Sequence, residues 1–153
     1  NTGVYFTTAP TMPNDNQCSL DYQVAEQLGY FKLDLLNVSI YSQVKTRKHL
    51  AELVAKDPPW EKLHDQSFVD QLFHLNGHFA VVTKVPPKTG EEIACCLAII
   101  RPAKRYLVDS EWSKIHSEVW IKPTDGQYYF KKAHAMSYAM AVVVHMNLLN
   151  FSD

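Results

Sequence analysis

The longest apolar run in the sequence, Ala135 to Leu149, lies near its end and limits what the rest of the chain can do. Ser137, His145 and Asn147 interrupt it, and at about 15 residues it falls short of the ~20 that span a bilayer. It therefore reads as a buried helix and not as a membrane segment. The chain does not open with a basic stretch leading into an apolar run, so no signal peptide is expected. Asn1 in place of Met points to a piece of something longer. With 153 residues, 46% of them hydrophobic and 20% charged, one domain with a real core is expected.

Upstream of that helix the period of the apolar residues changes once. Val4 to Thr8 is β-branched and aromatic and stops before Pro10. Phe31-Lys32-Leu33-Asp34-Leu35-Leu36 alternates, which puts Lys32 and Asp34 on one face of an extended segment. The two stretches are expected to pair, with a short helical turn between Asp21 and Gly29. From Lys45 the period is about 3.6. Leu50, Leu53 and Val54 share a helical face that ends at Asp57-Pro58-Pro59. Asp65 caps a second helix carrying Phe68, Val69, Leu72 and Phe73 and closed by Gly77. Thr89 and Glu92 have the spacing of a capping box ahead of a helix through Ile100, and Asp109 caps an amphipathic piece with Trp112 and Ile115. The last helix fills Phe130 to about Leu149. The expected fold class is α+β: a small antiparallel β element within residues 1–44, then a mostly helical region of about five helices over 45–153.

Net charge is −1, so overall charge does not call for a polyanion. Its distribution is uneven: residues 1–44 carry a net −3 and residues 101–134 a net +3. Cys18, Cys95 and Cys96 are an odd set with two adjacent, which fits a reducing cytoplasm better than a disulfide framework. Cys95 and Cys96 lie in an apolar helix, about 100° apart around it, and read as small core residues rather than nucleophiles or joint metal ligands. His74 and His78 have helical zinc spacing, but Gly77 falls between them and no Glu completes the motif. Five glycines in all leave little for a backbone phosphate cradle. Two basic clusters remain. Arg101, Lys104 and Arg105 follow one helix, and Lys131, Lys132 and His134 open the last one, after Tyr128, Tyr129 and Phe130. Lysines at a helix N-terminus oppose the macrodipole, so they gain nothing there structurally, yet with the helix amides they can seat a polyphosphate. Arginine suits bidentate phosphate contact.

The order of these pieces resembles an internal stretch of the C-family bacterial replicative DNA polymerases, the DNA polymerase III alpha subunit. Thr2-Gly3-Val4-Tyr5-Phe6 is similar to that family's A-G-V-V-I, and Phe31 to Leu36 to the palm segment ending K-x-D-x-L. Leu72-Phe73-His74-Leu75 resembles V-F-Q-L, and Ala98-Ile99-Ile100-Arg101-Pro102 resembles A-L-F-R-P-G. Phe130 to Ala139 resembles the fingers motif F-N-K-S-H-S-A-A-Y-A. The resemblance implies a DNA-replication protein, a nucleotidyltransferase working through two Mg²⁺ ions on DNA and a deoxynucleotide triphosphate. Asp34 would be the last of three metal-binding palm aspartates, with Lys32 beside the triphosphate. Arg101, Lys132 and His134 would belong to fingers that close on the nucleotide. The other two aspartates are not in this sequence, and residues 103–127 compress the fingers region. The chain is therefore expected not to polymerise alone, but only with upstream sequence or a partner chain supplying the missing carboxylates.

A rival reading keeps the binding and drops the chemistry: a noncatalytic module for nucleic acid or nucleotide in a replication complex, held through Arg101, Lys104, Arg105, Lys131 and Lys132. A third is a helical interaction protein with no nucleic-acid role.

Overall fold

The computed structural model describes residues 3–5, 8–34 and 38–151, and the chain divides into two compact units, Asn1–Val38 and Ser39–Asp153. In the first unit, β1 (Gly3–Tyr5), α1 (Tyr22–Gln27) and β2 (Lys32–Asp34) follow one another. β1 and β2 pair antiparallel, Gly3 opposite Asp34, Val4 opposite Leu33 and Tyr5 opposite Lys32. α1 starts on Asp21, whose carboxylate accepts the Gln23 N–H at 2.9 Å. It stops in a Schellman turn: Gly29 takes φ +84°, its N–H donates to the Glu26 carbonyl, and the Tyr30 N–H donates to the Ala25 carbonyl.

The expected α+β class is corrected here, because regular structure in this chain is almost entirely helical. Among the described residues pairing covers Gly3–Tyr5 and Lys32–Asp34, and no further strand joins them to make a β layer on which helices could rest. Alternating apolar residues specified extended backbone, but they did not supply the further strands that make a sheet. Among the residues of this unit whose burial is described, only Ala25 is buried. Of the rest of the expected strands, Thr8 and Phe31 lie outside the pairing, and Phe6, Thr7, Leu35 and Leu36 lie outside the described residues.

The second unit begins with a 3-10 turn, Ser39–Gln43, and continues through α2 (Arg47–Ala55), a second 3-10 turn (Trp60–His64), α3 (Gln66–Val69) and α4 (Phe79–Lys84). Then come α5 (Gly90–Ile99), a third 3-10 stretch (Pro102–Leu107), α6 (Trp112–Glu118) and α7 (Lys132–Phe151). Caps set most of the starts. Thr46 accepts the His49 N–H, and Asp65 accepts both the N–H and the hydroxyl of Ser67. Thr89 accepts the Glu92 N–H at 3.1 Å, while the Glu92 carboxylate accepts from Lys88, one residue before the cap. Asp109 does not cap α6; its carboxylate takes the Lys84 ammonium at 2.6 Å, and Glu111 stands at the cap position. The helix expected from Asp65 to Gly77 is cut short at Val69, and the chain reaches Gly77 through turns.

The core is built around α5 and α7, which make the most extensive helix pair of the fold. Ile93 to Ile100 are all buried, and so are Ala141 to Leu148. Each large side chain taken out of water there contributes about 1.5–3 kcal/mol. Ala94, Ala98, Ala135 and Ala139 belong to the same cluster and leave room for close backbone approach. The buried run near the chain end is thus a helix at the centre of this unit. Among the described residues no helix is long and apolar enough to cross a membrane.

Asn147 ties α2 to this centre. Its side-chain amide donates to the carbonyls of Leu53 and Lys56, at 2.8 and 2.9 Å, where α2 ends with unsatisfied acceptors. Two carbonyls facing one amide require its nitrogen, so the orientation is fixed chemically. The amide oxygen is buried without a partner. Asn147→Ala is expected to lower stability by about 2–3 kcal/mol, from two lost hydrogen bonds and two stranded acceptors. Asn147→Asp, which puts oxygens against those carbonyls, should cost more; urea denaturation of the three proteins checks both.

Candidate functional site

Between α3 and α4 the chain makes a tight irregular turn whose walls are polar and whose base is apolar. Leu72 and Leu75 are fully buried and pin it to the core. The Asp70 carboxylate accepts the Gly77 N–H, and the Asn76 amide donates to the Asp70 carbonyl at 3.0 Å, which closes the turn. Gly77 takes φ +74°, a conformation glycine adopts freely. His74 takes φ +59°, which costs a residue with a Cβ roughly 1–2 kcal/mol. Neighbouring contacts hold it there: the Phe73 N–H donates across the fold to His145 Nδ1 at 3.1 Å.

The His74 ring, exposed on one side, lies edge-on to Phe73 (centroids 4.2 Å apart) and to Tyr138 of α7 (4.5 Å). Tyr138 stacks on buried Phe130 at 5.5 Å and 17° between planes. The Arg101 guanidinium lies 5.0 Å from the Phe130 ring centre, a cation–π distance, and Arg101 Nε is buried with no hydrogen-bond partner. A row therefore runs Phe73, His74, Tyr138, Phe130, Arg101. Beside it an open groove of about 500 Å³ is lined by Gln71, Asn76 and three histidines, His74, His78 and His145, among others.

Burial holds the His74 imidazole below its ordinary pKa, and the Arg101 charge adds to that. Burial does the same to His145. With Nδ1 accepting from Phe73, neutral His145 carries its proton on Nε2. Burial raises both core thiols, Cys95 to about 12. Neither is a nucleophile, and the Cys96 thiol donates to the Val85 carbonyl at 3.3 Å.

The structure distributes the residues singled out in the sequence unevenly. Arg101 sits in the row, next to the segment that opens α7. Lys132, in the first turn of α7, pairs with Glu91 at 3.1 Å and lies 5.9 Å from the Trp120 ring centre. His134 is half-buried in the same turn, and Lys131 is exposed just before it. Lys104 is buried instead, 4% exposed, and its ammonium donates to the Glu118 carbonyl at the end of α6. Arg105 is exposed and donates to the Ile100 carbonyl. Both thus satisfy helix-end carbonyls of their own chain. Lys32 and Asp34 belong to β2 in the other unit, and their side chains lie outside the described residues. Tyr138 and His145 carried no assignment from sequence. The signal for His145 was a lone imidazole inside the apolar run.

Among the described residues no group of three His, Cys, Asp or Glu side chains is arranged to hold a metal ion; His74 and His78 both line the groove. The donor set does not fit a pair of Mg²⁺ ions either: Asp34 supplies one carboxylate where a two-metal centre shares several. No protein-family model, curated protein or solved structure matches the chain.

His145 gives the site a pH dependence with a definite sign. Its pKa in the fold lies below the ordinary 6.5, so the unfolded chain binds more protons and stability rises with pH. That contribution is complete above about pH 6.5 and is lost as pH falls toward the lowered value, where protonation also removes the acceptor for Phe73. His74 acts in the same sense. His145→Gln removes one of the two contributions. The fall in urea midpoint between about pH 7.5 and about pH 5 should be smaller in this variant than in the parent protein.

Proposed function

We propose that the helical unit binds nucleic acid or a nucleotide through the Arg101 face, as a noncatalytic module of a replication complex acting in the cytoplasm. One observation carries this reading: a guanidinium braced on an aromatic ring, with a buried N–H lacking any acceptor. Leaving a buried polar group unsatisfied costs about 1–3 kcal/mol, more when it is charged, and a phosphate oxygen is the acceptor that matches arginine best. Arg101 as a whole is half-buried, so a ligand can reach part of the side chain, whereas Nε itself is closed off and meets an acceptor only if the side chain shifts. Lys131 adds exposed positive charge just before α7, whereas Lys132 is paired with Glu91 and Lys104 and Arg105 are committed to carbonyls of the fold.

The test is fluorescence anisotropy with a labelled single-stranded oligonucleotide. Binding should weaken steeply between about 50 and 200 mM salt, and Arg101→Ala should weaken it roughly tenfold at low salt. Affinity that ignores salt, or that Arg101→Ala leaves untouched, would overturn the proposal.

A second reading is favoured by how the C-family-like segments meet. Leu72 to Leu75, Arg101, and Phe130 with Tyr138 are far apart in sequence and converge on one row of rings. On this reading the chain is a fragment of a nucleotidyltransferase, with Asp34 contributing to Mg²⁺ binding once further carboxylates are supplied. Primer extension by a longer or reconstituted protein tests it: activity is expected, and Asp34→Asn should abolish it. Full activity in that variant would remove Asp34 from the mechanism.

A further inference from the structure

The groove lined by His74, at the other end of the ring row from Arg101, has a chemistry of its own, and that chemistry is not that of a phosphate site. Among the residues lining it there is no lysine, arginine or carboxylate. What it offers is a ring wall and neutral hydrogen-bonding groups. The wall is His74, backed by Phe73 and Tyr138 so that the imidazole cannot swing away. The polar groups are partly committed, each amide through one of the two N–H donors on its nitrogen. Gln71 donates from its amide nitrogen to the Ser67 carbonyl at 2.9 Å, and Asn76 does the same to the Asp70 carbonyl. Each amide is thus anchored by its nitrogen, with its oxygen remaining as an acceptor. His145, whose Nδ1 is taken by Phe73, adds an Nε2–H donor.

A planar heteroaromatic ring with both donors and acceptors on its edge matches this set. The positive φ of His74 supports a binding role, since strained backbone persists where surrounding contacts over-determine it, and such places cluster at ligand sites. Burial and Arg101 both disfavour a charge on this imidazole, so it offers the groove a neutral ring.

We infer that this groove seats a nucleobase, stacked on His74 and read at its edge by Gln71, Asn76 and His145, while the attached phosphate lies toward Arg101. The inference rests on the nucleotide-binding reading above and adds to it the part of the ligand that carries no charge. A groove of about 500 Å³ has room for a base together with water.

The experiment compares two single-stranded probes of equal length, a deoxyadenylate oligomer and an abasic oligomer with the same phosphates. Each is titrated at one low salt concentration with the parent protein, His74→Gly and Arg101→Ala. Glycine accepts the left-handed backbone, so His74→Gly removes the ring and keeps the turn. The parent protein should bind the abasic oligomer about five- to a hundredfold more weakly than the deoxyadenylate oligomer, the range of one base–ring stack. His74→Gly should shrink that ratio toward one, and Arg101→Ala should weaken both probes. Equal affinity for the two probes, or a ratio unchanged in His74→Gly, overturns the nucleobase site. If Arg101→Ala still weakens both probes, the phosphate-binding reading survives that result. If Arg101→Ala changes neither, that reading falls as well.

Discussion

Packing of α5 against α7 is the contact on which the helical unit depends, because neither helix has a stable existence without it. Both are apolar through their middle turns on nearly every side, so each must be surrounded. Alanines at 94, 98, 135 and 139 keep the helices from being held apart by large side chains. The remaining elements are short, four to nine residues for α2, α3, α4 and α6. Helices of that length do not persist alone in water and derive their order from lying on this pair.

That dependence explains how a strained and polar turn can be rigid. The segment between α3 and α4 has no ladder of its own, yet Leu72 and Leu75 anchor it in the core and His145 holds the Phe73 N–H from the middle of α7. The same helix supplies Tyr138 as the backing for His74, and the residues just before it supply Phe130 for Arg101. One long helix therefore aligns ring, cation and groove within a single unit. The buried Asn147 on the same helix does for α2 what His145 does for the turn: a polar side chain inside an apolar helix takes up backbone groups that another element leaves open.

Local chemistry was read well from the sequence. Gly29 closing α1, Thr89 and Glu92 opening α5 and the break at Pro58-Pro59 all involve residues within a few positions of one another, while the apolar run from Ala135 is continuously buried only over Ala141 to Leu148, with Met136 and Met140 exposed. Where partners lie far apart in the chain the reading weakened. Asp109 was expected to cap α6 and instead meets Lys84. Lys104 and Arg105 matched a phosphate cluster by composition, yet they turn to the Glu118 and Ile100 carbonyls, because helix ends that fold against each other leave acceptors that need donors. The α+β class failed for a related reason: the two alternating stretches do pair, but without further strands they do not make a layer.

By itself, then, the sequence determined several helix starts and stops, at Asp21, Gly29, Thr89 and Pro58-Pro59, the buried stretch near the chain end, and that basic charge gathers at Arg101 to Arg105 and at the start of α7. These follow from spacing, capping and the conformational limits of glycine and proline, which act over a few residues. Only the tertiary structure decided that Arg101 lies on Phe130 while Lys104 is consumed inside, that His74 is forced to a positive φ, and that three histidines share one groove. Those outcomes depend on which surfaces α5 and α7 leave uncovered, and residues 72 positions apart, as Phe73 and His145 are, have no sequence spacing that encodes their meeting.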